Sequence, residues 1–194
     1  MNKVAKLTEL YEKFQNEFKD KEIVLGEGNP DATLLLIGEA PGREEVKLSK
    51  PFVGTAGKNL TEFLNIVGIN REDIYITNAI KFRLSKVNPA TEMIVNRPAT
   101  QAEIVANRQY LLDEIQIILP EYIVTLGNVP LKAVTGENDM AVGQVHGRLQ
   151  TINLQGKEYK LFPLYHPASI IYKRELKEVY IEDIKALKRI TTGA

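Results

Sequence analysis

The chain has 194 residues, 25 Lys+Arg against 25 Asp+Glu, 44% hydrophobic residues and no cysteine. That length buries a core without staples, so one α/β or α+β domain over residues 1–194 is expected, with 1–25 as an N-terminal helix and lead-in. The missing cysteine excludes a disulfide scaffold, thiolate metal sites, Cys-ligated iron–sulfur clusters and a cysteine nucleophile, and the zero net charge argues at face value against a nucleic-acid partner.

Leu7, Leu10, Tyr11, Phe14 and Phe18 recur at helical spacing and predict an opening helix over about 3–19. GEGNPDA (26–32) is a turn cluster, and Thr33 to Ile37 is a short apolar run of buried-strand type. After a long polar loop, Gly57 to Val67 reads as an amphipathic helix closed by Gly68, and Ile74 to Ala79 as the next strand. A second long loop runs to Pro98, where Thr100 and Glu103 form a capping box for a helix reaching about Leu119. Tyr122 to Leu126 is a third strand, Val129 to Val134 a short helix, and Leu149 to Leu154 with Tyr159 to Leu164 two strands joined through Gly156. A last helix is expected over Glu175 to Ile190. No repeat or low-complexity tract interrupts this order.

The alternation of strand and helix favours an α/β fold with a central, mostly parallel sheet and helices on both faces, a three-layer αβα arrangement. Sites in such folds gather at the carboxyl ends of strands. Here those ends run into Gly38-Glu39-Ala40-Pro41-Gly42, Asn78 to Arg83, Gly127-Asn128 and Tyr165 to Ser169. No apolar stretch approaches the roughly 18 residues of a spanning helix, and MNKVAKLTELYEKFQ lacks the apolar segment of a signal peptide, so a cytoplasmic protein is expected.

GEAPG lets backbone amides approach a ligand, or simply makes a tight βα turn; it is neither a dinucleotide fingerprint nor a P-loop. Glu39, Glu44 and Glu45 place carboxylates beside it that can position a water or offset a developing cation. Phe52, in a glycine-containing loop, offers a face for a planar base or plugs the core. Asn78 carries an amide able to pair with a donor–acceptor base edge, or forms a turn. His166, held by Pro167, can donate to developing negative charge. His146, the other histidine, is the weaker candidate, and two histidines so far apart without cysteine make a poor zinc site.

Taken together, GEGNPDA, GEAPG, PFVGTAG, ITNAIK, NRPAT, VTLGN, VHGR and HPAS, in this order and spacing, resemble the family 4 uracil-DNA glycosylases from about Gly26 to the last helix. The resemblance implies a four-stranded parallel sheet flanked by helices and excision of uracil from DNA by hydrolysis of the N-glycosidic bond. It implies that Phe52 stacks on uracil, Asn78 reads its Watson–Crick edge, and His166 bonds a uracil carbonyl as negative charge develops. Gly38, Ala40, Pro41 and Gly42 would line the base pocket, with Glu39 and Glu45 orienting water or stabilising the sugar cation. Some related glycosylases carry at the position of Ala40 an Asp that activates the water; its absence here fits the family 4 pattern.

Charge is uneven along the chain. Residues 81–108 hold Lys81, Arg83, Lys86, Arg97 and Arg108 against Glu92 and Glu103, and 157–194 hold eight basic against five acidic groups. Lys81, Arg83, Lys86, Arg97, Arg148, Ser169, Lys173 and Arg174 are the expected DNA contacts, and Ile170, Ile171 and Tyr172 a candidate wedge. The expected partner is uracil-containing DNA, with the protein a monomer away from membranes. A non-catalytic nucleobase-binding homologue and a glycosylase for hypoxanthine or xanthine are the alternatives.

The chain departs from the family in one respect. Family 4 members bind a [4Fe–4S] cluster through four cysteines, whose positions fall here near Tyr11, Phe14, Phe82 and Asn107. No cofactor and no metal cluster is expected, and Tyr11, Phe14 and Phe82 are expected to form an apolar cluster in its place.

Overall fold

The computed structural model describes residues 2–169 and 175–192. Helix α1 (Lys3–Glu17) starts where the Asn2 side chain accepts the Ala5 amide, and it buries Leu7, Leu10 and Phe14. Strand β1 (Glu27–Gly28) precedes the fully buried β2 (Leu34–Gly38). Two helices follow, α2 (Arg43–Leu48) and α3 (Thr55–Ile66), then β3 (Tyr75–Asn78). The second long loop contains a hairpin, β4 (Ser85–Val87) with β5 (Ile94–Asn96), before α4 (Gln101–Ile118) begins on the expected Thr100–Glu103 capping box. The remainder is β6 (Tyr122–Leu126), α5 (Asn128–Thr135), the short α6 (Val142–Val145), β7 (Gln150–Leu154), β8 (Lys157–Leu164) and α7 (Leu176–Thr192).

Among the described residues the main sheet has six strands in the order β1-β3-β2-β6-β8-β7. The four middle strands are parallel and correspond to the expected sheet. Two antiparallel edges extend it: β1 pairs with β3, and β7 folds back on β8 through Gln155 and Gly156, both at positive φ. The three layers follow from strand alternation. Leu35 and Ile37 of β2 pack with α1, α4 and α5 on one face, while Leu34 and Leu36 pack with α3 and α7 on the other.

The N-terminal segment is tied to the loop after β3. Val24 N donates to Lys81 O at 2.8 Å, Arg83 N to Glu22 O at 3.0 Å, and Ile23 bridges Phe82. Phe14 stacks on Phe82 at 6.4 Å between ring centroids, and Phe18 and Tyr110 complete the cluster at 4.6 and 5.0 Å from Phe14. The expected trio is therefore corrected at one member. Phe14 and Phe82 meet, but the Tyr11 hydroxyl is bonded to Tyr75 and Glu114 instead. Rings fill this region, the Asn107 amide donates to Glu103 O at 2.9 Å, and the chain has no thiolate to offer. These residues do not fit an iron–sulfur cluster.

Candidate active site

The ends of the parallel strands bring the singled-out residues together. The register sets Gly38 of β2 directly beside Asn78 of β3. Ala79 N and Ile80 N donate to the carbonyls of Gly38 and Glu39, at 2.8 and 2.9 Å, locking the GEAPG turn to the Asn78 strand end. A cavity of about 370 Å³ opens there, lined by Ala40, Pro41, Gly42, Glu45, Phe52, Asn78 and His166 among others.

Phe52 is buried and held at φ +54°, in the left-handed region that a residue with a side chain adopts only under constraint. Arg71 supplies the constraint, its guanidinium donating to Pro51 O at 2.5 Å and Phe52 O at 3.0 Å. Gly38 leaves room for the ring: a Cβ there would lie 2.5 Å from Asn78 Oδ1 and closer still to Phe52. The Phe52 and His166 rings stand 6.3 Å apart at 33°. The Asn78 side chain, 3% exposed as a residue, has no hydrogen bond within the described residues, so its amide is free to meet a ligand.

His166 follows β8 in a turn closed by Ser169 N donating to His166 O at 2.8 Å. The Ala168 amide donates to His166 Nδ1 at 3.1 Å. Nδ1 must therefore keep its lone pair, which leaves the proton of the neutral ring on Nε2. Burial lowers the imidazole pKa below 6.5, and the Glu45 carboxylate opposes that shift. The result is a neutral ring with a fixed tautomer, a hydrogen-bond donor rather than a cation.

The two candidate carboxylates are placed differently. Glu45 Oε1 accepts the amides of Val53 and Gly54 at 3.0 and 2.8 Å, and Oε2 accepts Gly42 N at 3.1 Å. It clamps the GEAPG turn to the Phe52 loop while lining the cavity. Glu39 turns away to accept Ala99 N at 3.1 Å and lines a neighbouring space of about 570 Å³ shared with His166, Tyr165, Asn128 and Ser169. Behind Tyr165, His146 Nδ1 lies 2.7 Å from Asp183 Oδ2, joining α6 to α7.

Two of the expected DNA contacts are corrected. Lys81 is 1% exposed and pairs with the fully buried Glu114 at 2.7 Å, while its ammonium also donates to Asn78 O at 3.1 Å. It cannot reach a phosphate. Glu114 also accepts from Thr77 Oγ1 at 3.0 Å and from the Tyr11 hydroxyl, which in turn accepts from Tyr75. Burial and the Glu114 charge push both phenols up, so they stay protonated donors. The Arg83 side chain is 7% exposed and donates to Asn96 Oδ1. Arg97 is committed to both oxygens of Glu103, whose carboxyl its guanidinium pulls down to about 2. Lys86 and Arg148 are exposed. Lys173, Arg174 and the wedge candidates Ile170, Ile171 and Tyr172 lie outside the described residues.

Sequence reasoning missed Glu114 and Arg71. Glu114 was legible in principle, since it shares the apolar stripe of Leu111, Ile115 and Ile118 on α4. Arg71 had no such signal, because its nearest partners are the backbone carbonyls of Pro51 and Phe52.

Residues 25–188 match the Uracil DNA glycosylase superfamily. The chain is similar to the type-4 uracil-DNA glycosylase of Saccharolobus solfataricus, with 39% identity over 87% of this chain and 76% of that protein. It is likewise similar to those of Sulfurisphaera tokodaii (38%, over 86% and 74%) and Thermotoga maritima (38%, over 86% and 81%). With that match spanning the whole set of strand-end loops that build the cavity, the chain belongs to the uracil-DNA glycosylase superfamily.

Proposed function

We propose that this protein excises uracil from DNA by hydrolysing the bond between uracil N1 and the sugar C1′, acting as a monomer in base-excision repair. The observation that carries the reading is the convergence of Phe52, Asn78 and a His166 of fixed tautomer on one cavity of about 370 Å³. The target nucleotide leaves the duplex stack and its base lies against Phe52. The Asn78 amide pairs with uracil O4 and N3–H; cytosine presents the opposite pattern there and would leave both groups unpaired.

As the C1′–N1 bond breaks, its electron pair passes to the base. The Nε2–H of neutral His166 donates to uracil O2 and stabilises the anion without first giving up a proton. The sugar becomes an oxocarbenium ion, stabilised by the negative charge of Glu45 along the cavity. A water oriented from the Glu39 side adds its oxygen to C1′ and gives up a proton to solvent, and the uracil anion takes up one proton, leaving free uracil and an abasic site. Lys86, Arg148 and Ser169 contact the backbone of the duplex, as do Lys173 and Arg174.

The test is a panel of oligonucleotides carrying uracil, hypoxanthine, xanthine or cytosine, scored for alkali-labile sites. Cleavage confined to the uracil strand is the expected result. Cleavage of hypoxanthine or xanthine instead would move the specificity, and binding without cleavage would favour a non-catalytic homologue.

A further inference from the structure

Lys81 and Glu114 are buried charges that the chemistry above leaves unused. Stability alone does not account for them, since an apolar pair of similar volume in such a place is often as stable or more so. What the pair touches is more informative. Glu114 Oε2 accepts from Lys81 Nζ at 2.7 Å and from Thr77 Oγ1 at 3.0 Å, and Oε1 accepts from the Tyr11 hydroxyl. Gly26 leaves room for this group, because a Cβ there would lie 2.6 Å from Glu114 Oε1 and 2.7 Å from the Tyr11 hydroxyl oxygen. The carboxylate is thus fixed by α1, by β3 and by the turn after β3, and it holds the Lys81 ammonium in one place.

From there the ammonium donates to Asn78 O at 3.1 Å. That carbonyl belongs to the same planar peptide unit as Ala79 N, which donates to Gly38 O at 2.8 Å. The peptide after Asn78 is therefore gripped at both ends, by Lys81 on its oxygen and by Gly38 of β2 on its nitrogen. Fixing that plane fixes the backbone from which the Asn78 side chain projects. The grip matters because the Asn78 amide makes no hydrogen bond among the described residues that could aim it. Successive side chains on a strand point to opposite faces, so Thr77 and the charged pair lie behind the strand end, while Asn78 lines the cavity in front.

We infer that Lys81, anchored by Glu114, is a positioning residue that clamps the Asn78 peptide so that the unbonded Asn78 amide meets the uracil edge already aimed. The inference rests on the reading of Asn78 as the uracil-binding amide. Without the clamp the amide samples other directions and fewer bound bases reach the reactive geometry; a misplacement of about 1 Å costs on the order of a hundredfold in rate.

The test compares the full chain with Lys81→Met/Glu114→Leu, which removes the clamp while replacing both buried charges together, so that stability is largely kept. Single-turnover excision from a uracil-containing duplex is titrated with protein to separate maximal rate from half-saturation. The maximal rate should fall by at least about tenfold, with half-saturation within about twofold of wild type because the phosphate contacts lie elsewhere. In an Asn78→Ala background the same substitutions should slow excision by less than about twofold, since a residue acting through Asn78 has nothing left to aim. Tyr11→Phe strips one donor from Glu114 without touching Asn78 O. It should lower Tm and keep excision within about twofold of wild type. If the pair variant does not fold, Lys81→Met assayed below its unfolding midpoint takes its place in the same cycle. Nitrogen–proton correlation spectra read the aim directly: the Asn78 side-chain NH2 signals, assigned by their loss in Asn78→Ala, should be sharp in wild type and shifted or broadened in the pair variant. A wild-type rate in the pair variant, a further tenfold loss in the Asn78→Ala background, or an equal loss of excision in Tyr11→Phe would overturn the positioning role. If wild type excises no uracil, the function proposed above fails, while the spectra still decide whether Lys81 aims Asn78.

Discussion

Replacing Lys81 with methionine removes the cation of a pair whose side chains are 2% and 0% exposed, and leaves Glu114 charged in the core. Breaking such a pair from one side typically costs about 3–5 kcal/mol, because the surviving charge keeps its desolvation penalty. Thr77 and Tyr11 still donate to Glu114, which places the expected loss near the lower end. About 3 kcal/mol is a large part of the roughly 5–15 kcal/mol that stabilises a domain, and at this chain length it lowers Tm by about 6–12 °C. Thermal and urea unfolding of Lys81→Met measure it directly. The double variant Lys81→Met/Glu114→Leu removes the stranded charge and should recover much of the loss, since apolar replacements of buried pairs are often near neutral. A Lys81→Met loss under about 1 kcal/mol, or a double variant no better than the single one, would refute the view that the pair is desolvated and interdependent.

Gly38→Ala would drive a Cβ into Asn78 Oδ1 and the Phe52 ring, so uracil excision should fall by at least about tenfold with a smaller change in Tm, compared in parallel assays. Phe82→Ala should cost about 3–5 kcal/mol, read from urea midpoints, because Phe82 is buried against Phe14 and Phe18. His166 has a folded pKa below 6.5, so the unfolded chain takes up its proton first as pH falls. Its contribution to stability is therefore present above pH 6.5 and lost as pH drops through the lower folded value. His166→Gln should flatten that limb of a pH series of urea midpoints; parallel curves for variant and wild type would contradict a neutral buried ring.

Much of the fold was legible from local signals. Four apolar runs became the parallel strands, and the Thr100–Glu103 capping box marked the start of α4. The pieces that escaped were short or depended on distant partners. β4 and β5 have three residues each, too few for alternation to stand out, and α2 is six residues inside a polar loop. At the site, the residues named from the loops do line or flank one cavity, with Gly38 beneath it and Glu39 turned to its neighbour. Lys81 reads as a surface cation until α4 brings Glu114 against it, a contact no local pattern encodes. The same holds for Tyr11, which the family's cysteine positions assigned to an apolar cluster and which the hydroxyl of Tyr75 and the carboxylate of Glu114 draw into a polar one.

The central claim is that Asn78 and His166 act together on a uracil held against Phe52. Single-turnover release of uracil from a labelled oligonucleotide, measured for wild type, Asn78→Ala and His166→Ala, tests it most directly. Wild type should convert the strand to abasic product, and each variant should be slower by about a hundredfold or more, the loss typical of one transition-state donor or one unpaired base edge. Variants that match wild type, or a wild-type protein that leaves uracil in place, would contradict it.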